Sequence, residues 1–253
     1  MANMWVVGSW VWIALGLGVV AAALFVLAGR RARRAGDPSP MISLTLFLAA
    51  ACAGISVLAV IITTLSTLLS PAVWMTVPVR EFWPELPAGV VVEGTSATRS
   101  YGGFTSAELS VEGLSTAARV MWAISQALGI LVPATIAALI AIACFQVLAG
   151  RTFAPVVARM AMITAVVVAA GASAGQVLGD IAGSMASAQL FDYTSARWED
   201  IPGMEDPLAA WIPHSTLAIA FPFWPIAAGL AFAALATILR YGSRLQRDTE
   251  GLV

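Results

Sequence analysis

Two polar side chains lie within one of the most apolar parts of the chain. Gln176 and Asp180 are four residues apart, so a helix would place both on one face. Ionisable groups inside a membrane are functional candidates, because a charge at the bilayer centre costs at least about 2.5–3.5 kcal/mol. Asp180 follows Arg159 by 21 residues, which predicts a position near the outer end of its helix, where that cost is small. Two interpretations stay open: a helix-end carboxylate bonded to a loop, or an outward-facing polar pocket formed with Gln176 and His214.

A possible nucleophile pattern overlaps the same stretch. Gly171, Ser173 and Gly175 match G-x-S-x-G, but soluble hydrolases use that pattern at a strand–turn–helix elbow, which an apolar run does not predict. An intramembrane protease would need a histidine within about 3 Å of the serine. The only histidine, His214, follows Pro213 at the predicted outer boundary and is expected too high in the membrane. We therefore expect a non-enzymatic protein without catalytic residues.

Composition excludes several other classes of function. The 253 residues are 60% hydrophobic and 11% charged, against about 25% charged in soluble domains, which predicts an integral membrane protein. The net charge of −1 gives no support for nucleic-acid binding. With one histidine, no lysine and two cysteines in apolar runs, we expect neither a metal site nor a cofactor.

Five apolar runs are long enough to cross roughly 30 Å of hydrocarbon. They cover about 5–28, 41–69, 119–149, 157–186 and 214–240. With the N-terminus outside and the C-terminus inside, nine of the thirteen arginines fall on the cytoplasmic side, as the positive-inside rule requires. The fold class expected is an all-α integral protein of the plasma membrane, in contact with the lipid bilayer, with five transmembrane helices.

The chain is expected to divide at the basic loop after the first run. Residues 1–40 would form an extra N-terminal transmembrane helix and a basic cytoplasmic loop. Residues 41–253 would form a four-helix membrane domain with extracytoplasmic loops 70–118 and 187–213. The first loop alternates Val, Thr, Tyr and Phe with glycine over 89–113, which predicts two or three short strands and a small β-containing extracytoplasmic cap made with the second loop.

Glycines recur every four residues around the polar pair, at Gly171, Gly175, Gly179 and Gly183. Small residues in this register allow another helix to approach closely, so we expect a helix-packing face. A partner helix in a homo-oligomer could use it, and the functional alternative is that the flat face lines a ligand or ion path.

The C-terminal tail follows the last apolar run and is polar. Its pattern resembles the C-terminal signature of a bacterial membrane family, the domain of unknown function twenty-nine seventy-five, through Gly242, Arg244, Leu245, Gln246, Asp248, Glu250 and Val253. Gly150 and Phe153 are similar to that family's Gly-x-x-Phe turn. The resemblance implies four spans, so the first run would be additional, and it implies no established activity. It also implies a context, since such proteins are often encoded beside a small helix-turn-helix transcriptional regulator.

These observations favour a regulatory or sensory membrane protein. The outer cap would receive an envelope signal, and the tail would dock a cytoplasmic protein, with both charge signs and apolar side chains available for the contact. Alternatively, the tail arginines only anchor the helix to anionic lipid, at about 1 kcal/mol each. The alternative function is a small transporter or lipid-handling protein that uses the glycine face together with Asp180.

Overall fold

The computed structural model describes residues 39–86, 90, 93–151, 153–197 and 207–250. Its elements in chain order are α1 (Ser39–Leu69), β1 (Ala72–Phe82), β2 (Phe104–Glu112), α2 (Thr116–Leu148), α3 (Pro155–Val166), a π-helical turn (Val167–Gly171), α4 (Ala172–Phe191), α5 (Pro207–Trp211) and α6 (Trp224–Glu250). The predicted first span at 5–28, with its basic loop, lies outside the described residues.

Four helical stretches in the described ranges are long and apolar enough to cross a membrane. They are Pro40–Leu69, Thr116–Leu148, Pro155–Phe191 and Trp224–Leu245. A mostly helical membrane protein was expected from composition, and these helices fit it. The last predicted run, 214–240, was wrong at its beginning, because the helix starts only at Trp224. Pro222 and Pro225 explain the late start, since proline suits a helix's first turn and disfavours helix before it.

The chain divides into two compact units. One comprises Met1–Ala59, Ile130–Ala170 and Trp224–Val253, and the other Val60–Gly129 and Gly171–Phe223. In the first unit, α3 and α6 pack through Val157, Ala161 and Ala236. Gly229 makes that approach possible, because a Cβ atom there would lie 2.8 Å from the carbonyl oxygen of Ala165 in α3.

The second unit is built around an antiparallel hairpin. β1 pairs with β2 from Ala72 opposite Glu112 to Phe82 opposite Phe104, with an irregularity after Pro78. The strands were predicted within 89–113, where the described residues contain β2; β1 lies earlier and begins shortly after α1 ends. Its pattern is nevertheless regular, since every second residue is buried, at Val73, Met75, Val77 and Val79.

A buried cluster joins the hairpin to two helices. Met75 and Val77 pack with Ala118 of α2 and with Ala182 and Ala186 of α4. The α4 residues are small, so the helix lies close to the strand. The loop predicted at 70–118 ends slightly earlier than expected, because α2 begins at Thr116. The loop predicted at 187–213 begins later than expected, because α4 continues to Phe191.

An arginine fixes the start of the hairpin. The Arg119 guanidinium, at the beginning of α2, donates to the carbonyl oxygens of Ser70 and Pro71, the second at 3.1 Å. Both carbonyls follow the C-terminal end of α1, where backbone acceptors lack helical partners and a positive charge is favourable. This contact holds the end of α1, the first residues of β1 and the start of α2 together.

Candidate functional site

A cavity of about 490 Å³ lies within the second unit, between the hairpin and the two helices. This volume falls in the range of about 300–1,000 Å³ that is typical of small-molecule sites. Three elements supply almost the whole lining: the hairpin gives Thr76, Pro78, Thr105 and Ser106; α2 gives Trp122, Ser125 and Gln126; and α4 gives Gln176, Gly179, Asp180 and Gly183.

Most polar side chains of the lining are available to a ligand. Four hydroxyls and one amide, those of Thr76, Thr105, Ser106, Ser125 and Gln126, form no side-chain hydrogen bond within the described part of the chain. Each hydroxyl can donate one hydrogen bond and accept two, and the amide can do both. Consecutive residues of a strand point to opposite faces, so only one of the Thr105 and Ser106 hydroxyls can face the cavity, and the lining offers several polar groups to a small molecule.

The predicted polar pair is brought together at this cavity. Gln176 Nε2 donates to Asp180 Oδ1 at 2.9 Å, and the backbone N–H of Ala220 donates to Asp180 Oδ2 at 2.8 Å. His214 is not among the lining residues of this cavity, so the structure does not bring the third predicted residue to the pair. Its backbone oxygen instead accepts from the N–H of Arg80 at 3.0 Å, because the segment containing His214 pairs with the end of β1.

That segment, residues 214–221, runs extended beside α4 and is called the strap. Alternate backbone N–H groups of the strap donate to side chains of α4: Thr216 to Ser187 at 3.2 Å, Ala218 to Ser184 at 3.2 Å, and Ala220 to Asp180 at 2.8 Å. Two residues of extended chain cover about 6.6 Å, and three or four helical residues rise about 4.5–6 Å, so the two repeats nearly match. Asp180 therefore bonds to a loop and lines the cavity, but it lies eleven residues before the end of α4 at Phe191 and not at the helix end where it was predicted.

The glycine series brings α4 against other parts of the same chain. A Cβ atom at Gly175 would lie 3.2 Å from the Cβ of Leu128, and one at Gly179 would lie 2.7 Å from Ser125 Oγ. At Gly183 it would lie 2.7 Å from the Thr76 carbonyl oxygen. A partner helix in a homo-oligomer would have to displace α2 and β1 to use this face.

The first glycine of the predicted series belongs to a different element. Gly171 is the last residue of the π-helical turn Val167–Gly171, so only the other three glycines share the α-helical repeat of α4. The residue pattern does not predict this turn, since a run of Val, Ala and Gly is equally compatible with a regular α-helix.

The described residues hold no serine–histidine pair. The hydroxyl of Ser173 is buried and has no hydrogen-bond partner among them. Nor do three His, Cys, Asp or Glu side chains cluster in this part of the chain as a metal ion would need.

The predicted docking residues lie on the last helix. α6 continues to Glu250, so Gly242, Arg244 and Leu245 extend a membrane helix rather than a loose tail. Gly242 has a packing role, because a Cβ atom there would lie 2.6 Å from Cδ1 of Phe153. The remaining predicted residues, Gln246, Asp248 and Glu250, are helical, and their side chains are outside the described structure.

Sequence reasoning missed the half of the cavity that the hairpin and α2 supply. The adjacent Ser125 and Gln126 were a usable signal, since two polar residues stand together in an apolar run. The hydroxyl residues of the hairpin gave no such signal, because Ser and Thr commonly occur on the exposed face of a strand.

Comparison with known proteins identifies no relative of this chain. No family model matches it, and neither does any curated protein or solved structure. The resemblance of the C-terminal tail to the domain of unknown function twenty-nine seventy-five stays a prediction.

Proposed function

We propose that this is a non-enzymatic membrane protein of the cell envelope that senses a small polar ligand and contacts a cytoplasmic partner. The observation that carries the proposal is the cavity, in which four hydroxyl side chains and the Gln126 amide form no hydrogen bond within the described residues. Four of these five side chains are exposed and Ser125 is half-buried, so a ligand that enters the cavity can reach them. Accessible polar groups that line one cavity are what binding of a small polar molecule requires.

The fixed walls of the cavity favour binding over passage. One wall is the hairpin, which is held to α4 by the hydroxyl of Ser187, whose Oγ donates to the Pro78 carbonyl at 2.6 Å. The strap, which adds Ala218 to the lining, is held by the three N–H bonds to α4. Walls held in this way suit a receptor that keeps its ligand.

Filling the cavity tests the sensing role. We expect Ser106→Phe to abolish retention of a small polar molecule by protein purified in mild detergent, because the phenyl ring would occupy the cavity. Ser106 is exposed and forms no side-chain hydrogen bond among the described residues, so the change should spare the fold. Mass spectrometry of the small molecules released on denaturation measures retention.

Ser110→Phe is the matched control for that experiment. Ser110 is exposed on the same strand and on the same face, opposite Trp74, but does not line the cavity. The control should retain the molecule as the unaltered protein does. Identical small-molecule content in all three proteins would contradict ligand sensing at this site.

The cytoplasmic contact is assigned to the end of α6. Tyr241 and Leu245 lie four residues apart at the end of the apolar stretch Trp224–Leu245 and are both exposed, so they form one short apolar stripe. Arg240 and Arg244 lie beside it, and the Arg244 guanidinium is 5.9 Å from the Tyr241 ring. The stripe suits a protein groove of apolar character with an acidic rim. A small helix-turn-helix regulator is the partner implied by the family resemblance.

Truncating one side chain of this stripe tests the contact. We expect Leu245→Ala to lower recovery of the cytoplasmic partner from gently solubilised membranes about 5- to 30-fold, the effect of losing about 1–2 kcal/mol at an interface. Leu230→Ala is the control, because Leu230 lies on the same helix with the same exposed fraction, 67%. Quantitative mass spectrometry compares the two, and equal recovery would exclude docking through Leu245.

A further inference from the structure

The charge of the cavity identifies a class of ligand. Asp180 is the only ionisable side chain among the described residues of the lining. Its two bonds come from neutral donors, the Gln176 amide and the Ala220 N–H, and within the described ranges no arginine or histidine pairs with it. The negative charge is therefore held in place and left without a counter-ion.

The carboxylate also keeps capacity for a ligand. An ionised carboxyl group has about four acceptor positions, and two of those of Asp180 are used. An anionic ligand would meet this charge without any basic group to offset it. A cationic donor would complete the carboxylate's hydrogen bonds and neutralise it.

The aromatic side chain of the lining favours the same ligand. The indole N–H of Trp122 donates to the Trp74 carbonyl at 3.2 Å, so the indole offers a ligand only its carbon ring. Such a ring attracts cations and CH groups. The neighbouring hydroxyls of Ser125 and Ser106 add hydrogen-bonding partners for an alcohol.

We propose that the cavity binds a small hydroxylated ammonium compound, with its ammonium group on Asp180 and its hydroxyl groups on the serine and threonine side chains. This inference rests on the proposed sensing function and specifies its ligand. Free ethanolamine has this chemistry, and an ethanolamine phospholipid shares its ammonium group, although the hydroxyl of that headgroup is esterified to phosphate; the experiment separates the two sources.

The test uses the full chain in nanodiscs of phosphatidylcholine, titrated with ethanolamine or with ethylene glycol, in which a hydroxyl replaces the ammonium group. Calorimetry should detect ethanolamine and not ethylene glycol. Asp180→Asn should weaken ethanolamine binding at least about tenfold, as expected when a charge-assisted hydrogen bond is lost. The variant keeps the shape, and its amide can still accept from Ala220 and bond to a rotated Gln176 amide, so the strap should stay in place.

Glu108→Gln is the control, since it removes a carboxylate from an exposed position of β2 that does not line the cavity. It should bind ethanolamine like the unaltered protein. Competition of nanodisc phosphatidylethanolamine with free ethanolamine would assign the lipid headgroup as the source, and absence of competition would assign the free solute.

Equal binding of ethylene glycol and ethanolamine, an unchanged affinity in Asp180→Asn, or no binding of ethanolamine in either lipid would overturn the ammonium assignment. The sensing function is judged separately, by whether Ser106→Phe loses a retained molecule that Ser110→Phe keeps. Loss of a neutral or anionic molecule there would leave sensing in place and refute only the ammonium class.

Discussion

Replacement of Gly183 by alanine should destabilise the protein by about 1–3 kcal/mol, the usual effect of forcing an extra methyl group into a packed interior. The added Cβ atom would lie 2.7 Å from the Thr76 carbonyl oxygen and 3.2 Å from Cδ of Pro78. The first contact is with backbone, which cannot rotate away as a side chain can. α4 must therefore separate from β1, and the buried cluster around Met75 and Val77 must loosen. Reversible unfolding in mixed detergent measures the change.

Gly129→Ala is the appropriate comparison. Gly129 is also helical, in α2, but no neighbouring atom lies within 4 Å of the position a Cβ would take. Alanine there should be neutral or stabilising by up to about 1 kcal/mol, because it reduces the freedom of the unfolded backbone. Equal losses for the two variants would show that glycine matters for helix flexibility and not for the close approach to β1.

Ser187→Ala should be comparably disruptive, although it removes a single oxygen atom. The hydroxyl is fully buried, donates to the Pro78 carbonyl and accepts from the Thr216 N–H. Each polar group left unpaired in the interior costs about 1–3 kcal/mol. The expected outcome is lower unfolding stability together with faster hydrogen exchange at the amide of Thr216.

Hydrogen exchange at Thr216 separates a loss of the strap contact from a general loss of packing. Ser110→Ala removes an exposed hydroxyl from β2 and should change stability by no more than about 0.5 kcal/mol, as is usual at surfaces. Destabilisation by Ser187→Ala without faster exchange at Thr216 would show that the serine supports packing and does not hold the strap.

The long helices could be predicted from the sequence because an uncharged apolar run of about 20 residues is typical of a membrane-spanning helix. β1 could not, since Pro78 argues against a strand and the segment follows α1 almost directly. Every second residue from Val73 to Val79 is buried, so the alternation of apolar residues favours a strand here more than Pro78 disfavours one. Pro78 is accommodated where the pairing becomes irregular.

The candidate site was only half predictable. Gln176 and Asp180 could be placed on one face by their spacing, since four residues make about one helical turn. Ser106 and Trp122 could not be assigned to the same cavity, because their approach depends on how the hairpin packs on α2 and α4. His214 was misplaced for a similar reason, as the pairing of the strap with β1 determines its position.

The strap has a consequence for how this sequence can diverge. Its bonds to α4 use the N–H groups of Thr216, Ala218 and Ala220, so proline at any of these would remove a donor that a helix side chain requires. The intervening Leu217, Ile219 and Phe221 are exposed, so many residue types can replace them without loss of these bonds. Related sequences would thus vary with a period of two along the strap, and with a period of three to four along the helix beside it. Because the donors of the strap and the acceptors of α4 must stay in register, a deletion of one strap residue would shift every later donor away from its acceptor.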